Sequence, residues 1–134
     1  MNFLEDVKTV AIVGLSRDAG KPSHKVAKFL QQQGVQVVPI NPSISVLLNE
    51  KSYESILGVP KETKIDVVAI YRSSENVSSI IEEIITRGDV KTIWLPEGAE
   101  NMEAELHAFH SGITVITNFC LLHEYKGLVG KKRF

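Results

Sequence analysis

The sequence predicts an α/β fold of three layers, a single parallel sheet in the order 3-2-1-4-5 with helices on both faces. Short apolar runs alternate with helical periodicities along the chain, as repeated βαβ units require. Those runs are apolar throughout, which suits strands covered on both faces and not a half-exposed sheet. Glycines, prolines and polar residues collect at the carboxyl ends of the runs, where an open parallel sheet binds its ligands.

Thr9 to Val13 is an apolar run ending at Gly14, after which the chain turns polar and basic through Ser16, Arg17, Asp18, Gly20 and Lys21. This reads as a strand followed by a loop. Pro22 suits the first position of a helix, Val26, Phe29 and Leu30 recur at helical spacing, and Gly34 supplies a stop. A second run, Val35 to Ile40, halts at Asn41-Pro42, so the first two strands and the helix between them form one βαβ unit with a right-handed crossover. Ser43 to Lys64 is the least regular stretch: Val46 to Leu48 suits a short strand or a loop, and Tyr53 to Leu57 a helical turn closed by Gly58 and Pro60. Val67 to Ile70 is a continuous apolar strand. Val77, Ile80, Ile81, Ile84 and Ile85 then follow at i, i+3, i+4, i+7 and i+8, with Ser74 as a cap and Gly88 as a stop, the clearest helix in the chain. The pattern repeats with a strand at Thr92 to Leu95, a helix at Met102 to Ser111 between Asn101 and Gly112, a strand at Thr114 to Thr117, and a last helical segment from Cys120 to about Tyr125. No linker, low-complexity segment or internal repeat interrupts this order, so residues 1–134 read as one domain.

Composition narrows the class. The 134 residues are 43% hydrophobic and 23% charged, enough to build a packed core without metals or disulfide staples. The single cysteine, Cys120, excludes an intramolecular disulfide framework and a cysteine-rich zinc site, and favours a reducing cytoplasm. No stretch approaches the roughly 18 apolar residues of a membrane span. A formal net charge of -1 argues against nucleic-acid or membrane binding through bulk charge.

The strand ends carry the candidate site. Gly14-Leu15-Ser16 follows the first strand, Asn41-Pro42 the second, Tyr71-Arg72 the third, Pro96-Glu97-Gly98 the fourth and Asn118-Phe119-Cys120 the fifth. Gly14 removes a side chain at the first turn, and a helix starting near Pro22 aims free N–H groups and a positive dipole end at it. Arg17, Lys21, Lys25 and Lys28 surround that turn against one acid, Asp18, as a phosphate ligand requires. The same lysines also suit an ordinary solvated helix face. The loop is not a Walker A motif, because Gly14 and Gly20 are separated by five residues and Pro22 replaces the magnesium-binding hydroxyl. Nor is it a dinucleotide fingerprint: Ser16 stands at the second glycine, and Ile40-Asn41-Pro42 offers no acid for a ribose. Catalytic candidates are few. His107 and His110 lie three apart without a third ligand, and Asp18 occupies the last glycine of a serine-hydrolase elbow. Cys120 suits either a nucleophile at a helix start or a small buried hydrophobe.

Taken in order, these motifs resemble those of small stand-alone CoA-binding proteins, whose fold is similar to the CoA-binding domain of the succinyl-CoA synthetase alpha subunit. The resemblance is carried by Ala11-Ile12-Val13-Gly14-Leu15-Ser16, Lys21-Pro22-Ser23, Val37-Val38-Pro39-Ile40-Asn41-Pro42, Asp66-Val67-Val68 with Tyr71-Arg72, Trp94-Leu95 with Glu97-Gly98, and Asn118-x-Cys120. It implies a Rossmann-like site for coenzyme A, with the pyrophosphate on the loop from Gly14 through Leu15, Ser16 and Arg17 to Lys21. It further implies that Asn41-Pro42 and Tyr71-Arg72 flank the adenosine, that Leu95, Glu97 and Asn118 line the approach of the pantetheine arm with Cys120 nearby, and that Arg72 or Lys21 meets the 3′-phosphate. Leu121 stands where the synthetase has a proline, and a chain of this length has no room for its phosphohistidine domain. The expectation is a cytoplasmic CoA or acyl-CoA binding protein that is not an enzyme. The alternatives are a regulatory domain sensing NAD, ATP or AMP, and a small enzyme using Cys120.

Overall fold

The computed structural model describes residues 7–96 and 98–117. Strand β1 (Thr9–Val13) leads into helix α1 (Pro22–Gln32) and strand β2 (Gln36–Ile40). A two-stranded hairpin follows, β3 (Val46–Leu47) with β4 (Glu50–Lys51), and then a single 3-10 turn at Ile56–Gly58. Strand β5 (Val67–Ile70), helix α2 (Ser74–Arg87), strand β6 (Thr92–Leu95), helix α3 (Met102–His110) and strand β7 (Thr114–Thr117) complete the order among the described residues; the helical segment expected from Cys120 lies outside them.

Five strands pair in parallel in the order β2-β1-β5-β6-β7, with helices on both faces. The expected class, a Rossmann-like parallel sheet between helical layers, is borne out. The order 3-2-1-4-5 is not: counted along the chain, the five central strands run 2-1-3-4-5. The reason lies in the stretch that the sequence leaves irregular. The place outside β2 is taken by one residue, Tyr53, whose N–H donates to the Pro39 carbonyl at 3.0 Å and whose carbonyl accepts from Asn41 N–H at 2.9 Å. With that edge occupied, the next strand pairs on the free side of β1. Pro39 is tolerated inside β2 because β2 is an outer strand, where a missing N–H costs no ladder bond.

The chain rounds the β2 edge between the two halves of the core. Leu47 joins Val10, Ile12, Leu15, Val26, Ala27, Leu30 and Trp94 on the α1 face. Ile56 and Val59 join Ala11, Val13, Ile40, Val77, Ile81, Ile84, Leu95 and Ala108 on the opposite face, under α2 and α3. Alternate residues of β1 thus enter opposite clusters, as the period of a strand dictates.

Local chemistry sets the helix ends. Pro22 occupies the first turn of α1, as expected. Helix α2 is preceded by Ser73 at the N-cap and not Ser74; it ends at Gly88 in the left-handed conformation, φ 86°, which favours glycine. Asn101 caps α3, its Oδ1 accepting from Ala104 N–H at 3.1 Å.

One buried side chain fixes the irregular segment. Arg87, at the last turn of α2 and 8% exposed, donates to the carbonyls of Val59 (2.6 Å), Pro60 (3.0 Å) and Thr63 (2.6 Å), and to Asp89 Oδ1 at 2.8 Å. Asp89 Oδ2 in turn accepts from Ile65 N–H at 3.3 Å. A planar guanidinium with five donors is the one side chain that can gather so many carbonyls at once.

Candidate functional site

Chain direction across the sheet reverses between β1 and β5, so their carboxyl ends flank the crevice where an open α/β sheet takes its ligand. Gly14 ends β1 there with φ 83°. A Cβ at Gly14 would stand 2.3 Å from the Tyr71 carbonyl oxygen and 3.0 Å from Arg72 Cδ. Only glycine permits both this backbone conformation and this approach.

The loop after Gly14 is held by the helix it feeds. Ser23, buried in the first turn of α1, accepts from Ser16 N–H at 3.0 Å, and His24 Nδ1 donates to the Ser16 carbonyl at 2.9 Å. Ser16 Oγ accepts from Asp18 N–H, and Asp18 Oδ1 from Gly20 N–H. At the N-cap of α1, Lys21 makes no side-chain capping bond, and the first turn holds no acid. The positive end of that helix is therefore uncompensated within its own first turn, a site competent for an anion. Among the described residues, neither Arg17, Lys21 nor Arg72 forms an ion pair.

Asn41 ties this loop to the end of β2. Its Nδ2 donates to the Leu15 carbonyl at 2.9 Å, and its Oδ1 accepts from Ser43 N–H at 2.9 Å. Asn41 is thus a strut between two ligand-side loops. Asn41→Ala is expected to lower stability by about 1–3 kcal/mol through these partners left unsatisfied, read by urea denaturation; an unmoved midpoint would show that water replaces the strut.

A cleft of about 160 Å³ opens at these strand ends, lined by Gly14, Pro42, Arg72, Asn76, Ser79 and Glu83 among others, with Glu54, Ser55 and Ile56 on the wall that the 3-10 turn provides. Of the residues expected at the site, Gly14, Pro42 and Arg72 meet in this cleft. Arg17 and Lys21 are exposed on the loop and at the start of α1, and do not line it. The side chains of Leu15 and Leu95 are both 0% exposed and belong to the core. The expectation that Leu95 lines a ligand channel is corrected to that extent: its side chain packs beneath α2 and α3. Glu97, Asn118 and Cys120 lie outside the described residues. Asp66 sits at the opposite end of the sheet, where Oδ2 accepts from Lys8 and Thr9 N–H at 2.8 and 3.0 Å. Its part in the motif is structural.

Sequence reading misses the α2 wall of the cleft. Asn76, Ser79 and Glu83 recur at i, i+3 and i+7, one polar helix face directed at a strand end. That spacing is the clue the sequence offers. No helix among the described residues is long and apolar enough to cross a membrane. His107 Nε2 faces Glu82 Oε1 at 2.7 Å, so that histidine is engaged with its neighbouring helix.

Sheet order, glycine turn and uncompensated helix start together define an open α/β module with an anion-competent crevice. The chain belongs to the CoA binding domain family, which matches it over residues 8–126. It is similar to the uncharacterized protein YneT of Bacillus subtilis, 33% identical over 119 residues that cover 89% of this chain and 86% of that protein. A hypothetical protein from Pyrococcus horikoshii has a similar solved structure, with a TM-score of 0.89 and 30% identity, covering 95% of this chain and 87% of that one. An ADP-forming acetate–CoA ligase of Archaeoglobus fulgidus is 32% identical over 83 residues, 60% of this chain but 12% of the ligase. The resemblance read from the strand-end motifs is thereby borne out, and the family supports a CoA-related binding role.

Proposed function

We propose that this chain binds coenzyme A or an acyl-CoA as a single-domain module, without turnover of its own. The observation that carries this reading is the CoA binding domain match across residues 8–126, a span that includes the glycine loop, both flanking strand ends and the cleft. The uncompensated start of α1 above Gly14 supports placing the pyrophosphate on the loop from Gly14 to Lys21. Pro42 and Arg72 at the cleft support placing the adenosine there, beside Tyr71 and with Asn41 as strut; Arg72 and Lys21 are the two candidates for the 3′-phosphate. The pantetheine arm then leaves past the end of β6; Glu97, Asn118 and Cys120, which the resemblance assigns to it, lie outside the described residues. What this chain shares with the ligase is 12% of the ligase's own length, so only a binding role is carried over from it.

A thermal-shift panel of CoA, acetyl-CoA, NAD, NADP, ATP and AMP tests this. A ligand that binds only the folded state stabilises it by about 2.7 kcal/mol at 100 times its Kd. CoA and acetyl-CoA are expected to raise Tm where the others do not. A rise with NAD, ATP or AMP and none with CoA would replace the reading with a nucleotide sensor. Arg72→Ala and Lys21→Ala are each expected to weaken CoA binding roughly 10- to 100-fold, the loss of a charge-assisted contact of about 1.5–3 kcal/mol. Calorimetric titration reads this; unchanged affinity in both variants would reduce these cations to solvated surface.

A further inference from the structure

Helix α3 carries a second surface, separate from the cleft. Met102, Leu106 and Phe109 are 78%, 52% and 68% exposed. At about 100° per residue they fall within roughly 60° of one another around the helix. Ala104 and Ala108 are the buried residues of α3 and lie on the far side, so the stripe points away from the protein's own core. Three large apolar side chains in a row on a nine-residue helix form a surface of the kind a partner covers.

Charge on the same helix indicates which partner. Glu103 and Glu105 occupy the first turn of α3, and His107 and His110 the last. Glu103 and His110 flank the stripe on the same side, both roughly 80–100° from Met102, and the His110 ring lies against Phe109 with centroids 5.9 Å apart. His107 is turned away, toward Glu82 of α2. A second α3 set antiparallel across a two-fold axis near Leu106 brings Met102 of one copy against Phe109 of the other. It also brings Glu103 against His110, twice over, as an isologous contact demands. The helix dipoles then oppose, and thioether meets aromatic ring. A parallel two-fold arrangement would instead set Glu103 of one copy beside Glu105 of the other, acid against acid.

We infer that this face of α3 is an interface between two copies of this chain, paired antiparallel about Leu106. Helix α2 contributes Asn76, Ser79 and Glu83 to the cleft and packs between the cleft and α3, so pairing leaves both clefts open.

Sedimentation equilibrium of the full chain, from low micromolar to several hundred micromolar, tests this. The mass is expected to rise from the 14.8 kDa of one chain toward twice that value. Leu106→Glu is expected to raise the dissociation constant at least about tenfold, with its thermal melt confirming the fold; if that variant melts early, Phe109→Lys gives the same readout at a more exposed position. Glu103→Arg weakens the dimer, and His110→Glu in the same chain restores it by reversing both reciprocal pairs. A monomer at every concentration overturns the inference and leaves the stripe to another occupant, such as residues 118–134 of the same chain. A dimer indifferent to both Leu106→Glu and Phe109→Lys overturns it equally, and failure of the double reversal to restore association overturns the antiparallel pairing.

Discussion

Arg87→Ala is expected to lower stability by about 3–5 kcal/mol, the range seen when one member of a buried, hydrogen-bonded charge pair is removed. Arg87 is 8% exposed and serves Val59, Pro60, Thr63 and Asp89 together. Without it, those carbonyls lose their donors and the Asp89 carboxylate loses its cation in a partly buried place. Arg87→Lys is expected to recover only part of the loss, since an ammonium is a point charge without the planar fork. The damage extends to the ligand side. The segment that Arg87 gathers continues from the turn supplying Glu54, Ser55 and Ile56 to the cleft, so residual folded protein is expected to bind CoA more weakly. Urea denaturation followed by circular dichroism reads the first effect and calorimetry the second. A loss below about 1 kcal/mol, the worth of one ordinary hydrogen bond, would mean that water or a shifted backbone satisfies the carbonyls.

Gly14→Ala is expected to cost about 3 kcal/mol, from two sources that a control separates. A left-handed backbone conformation penalises an L side chain by about 1–2 kcal/mol. The new Cβ would also press to 2.3 Å from the Tyr71 carbonyl oxygen, and that oxygen belongs to backbone that can yield only by parting β1 from β5. Gly34 has nearly the same conformation, φ 85°, and a methyl group there would meet nothing within 4 Å. Gly34→Ala therefore reports the conformational part alone. The two variants melting alike would show that the approach of Tyr71 to Gly14 is relaxed without strain. A larger loss at Gly14, accompanied by weaker CoA binding, is the expected result, because the opened strands carry the Gly14 loop and Arg72 on opposite banks.

The elements that the sequence announces are those whose causes are local. Thr9–Val13 and Val67–Ile70 are apolar at every position, Pro22 can only begin a helix, and Gly88 and Asn101 carry their cap chemistry in their own side chains or lack of one. Strand order is not local. Both 3-2-1-4-5 and 2-1-3-4-5 are built from the same βαβ units, and the choice falls to Tyr53, a single residue that occupies the edge of β2 inside an otherwise irregular stretch. Arg87 is equally silent in sequence, since its partners lie up to 31 positions away as backbone carbonyls that no residue type advertises. The same division holds at the site. Gly14, Asn41, Pro42 and Arg72 are legible because punctuation and charge after an apolar run mark a strand end. Leu15 and Leu95 are ambiguous because a leucine at a strand end reads identically whether it enters the core or a channel.

The adjacency of β1 and β5 also bears on how fast the chain folds. Thr9 and Asp66, which join the starts of these two strands, are 57 positions apart, and the chain between them holds the rest of β1, the Gly14 loop, α1, β2 and the segment rounding the β2 edge. Closing so long a loop costs entropy before any contact across it is gained, and folding slows as such distant pairings dominate. The crevice between Gly14 and Arg72 is thus absent from any partly folded chain that holds only the first βαβ unit. Occupancy of that crevice is a property of the completed sheet, so a ligand there is expected to slow unfolding by holding β1 and β5 together.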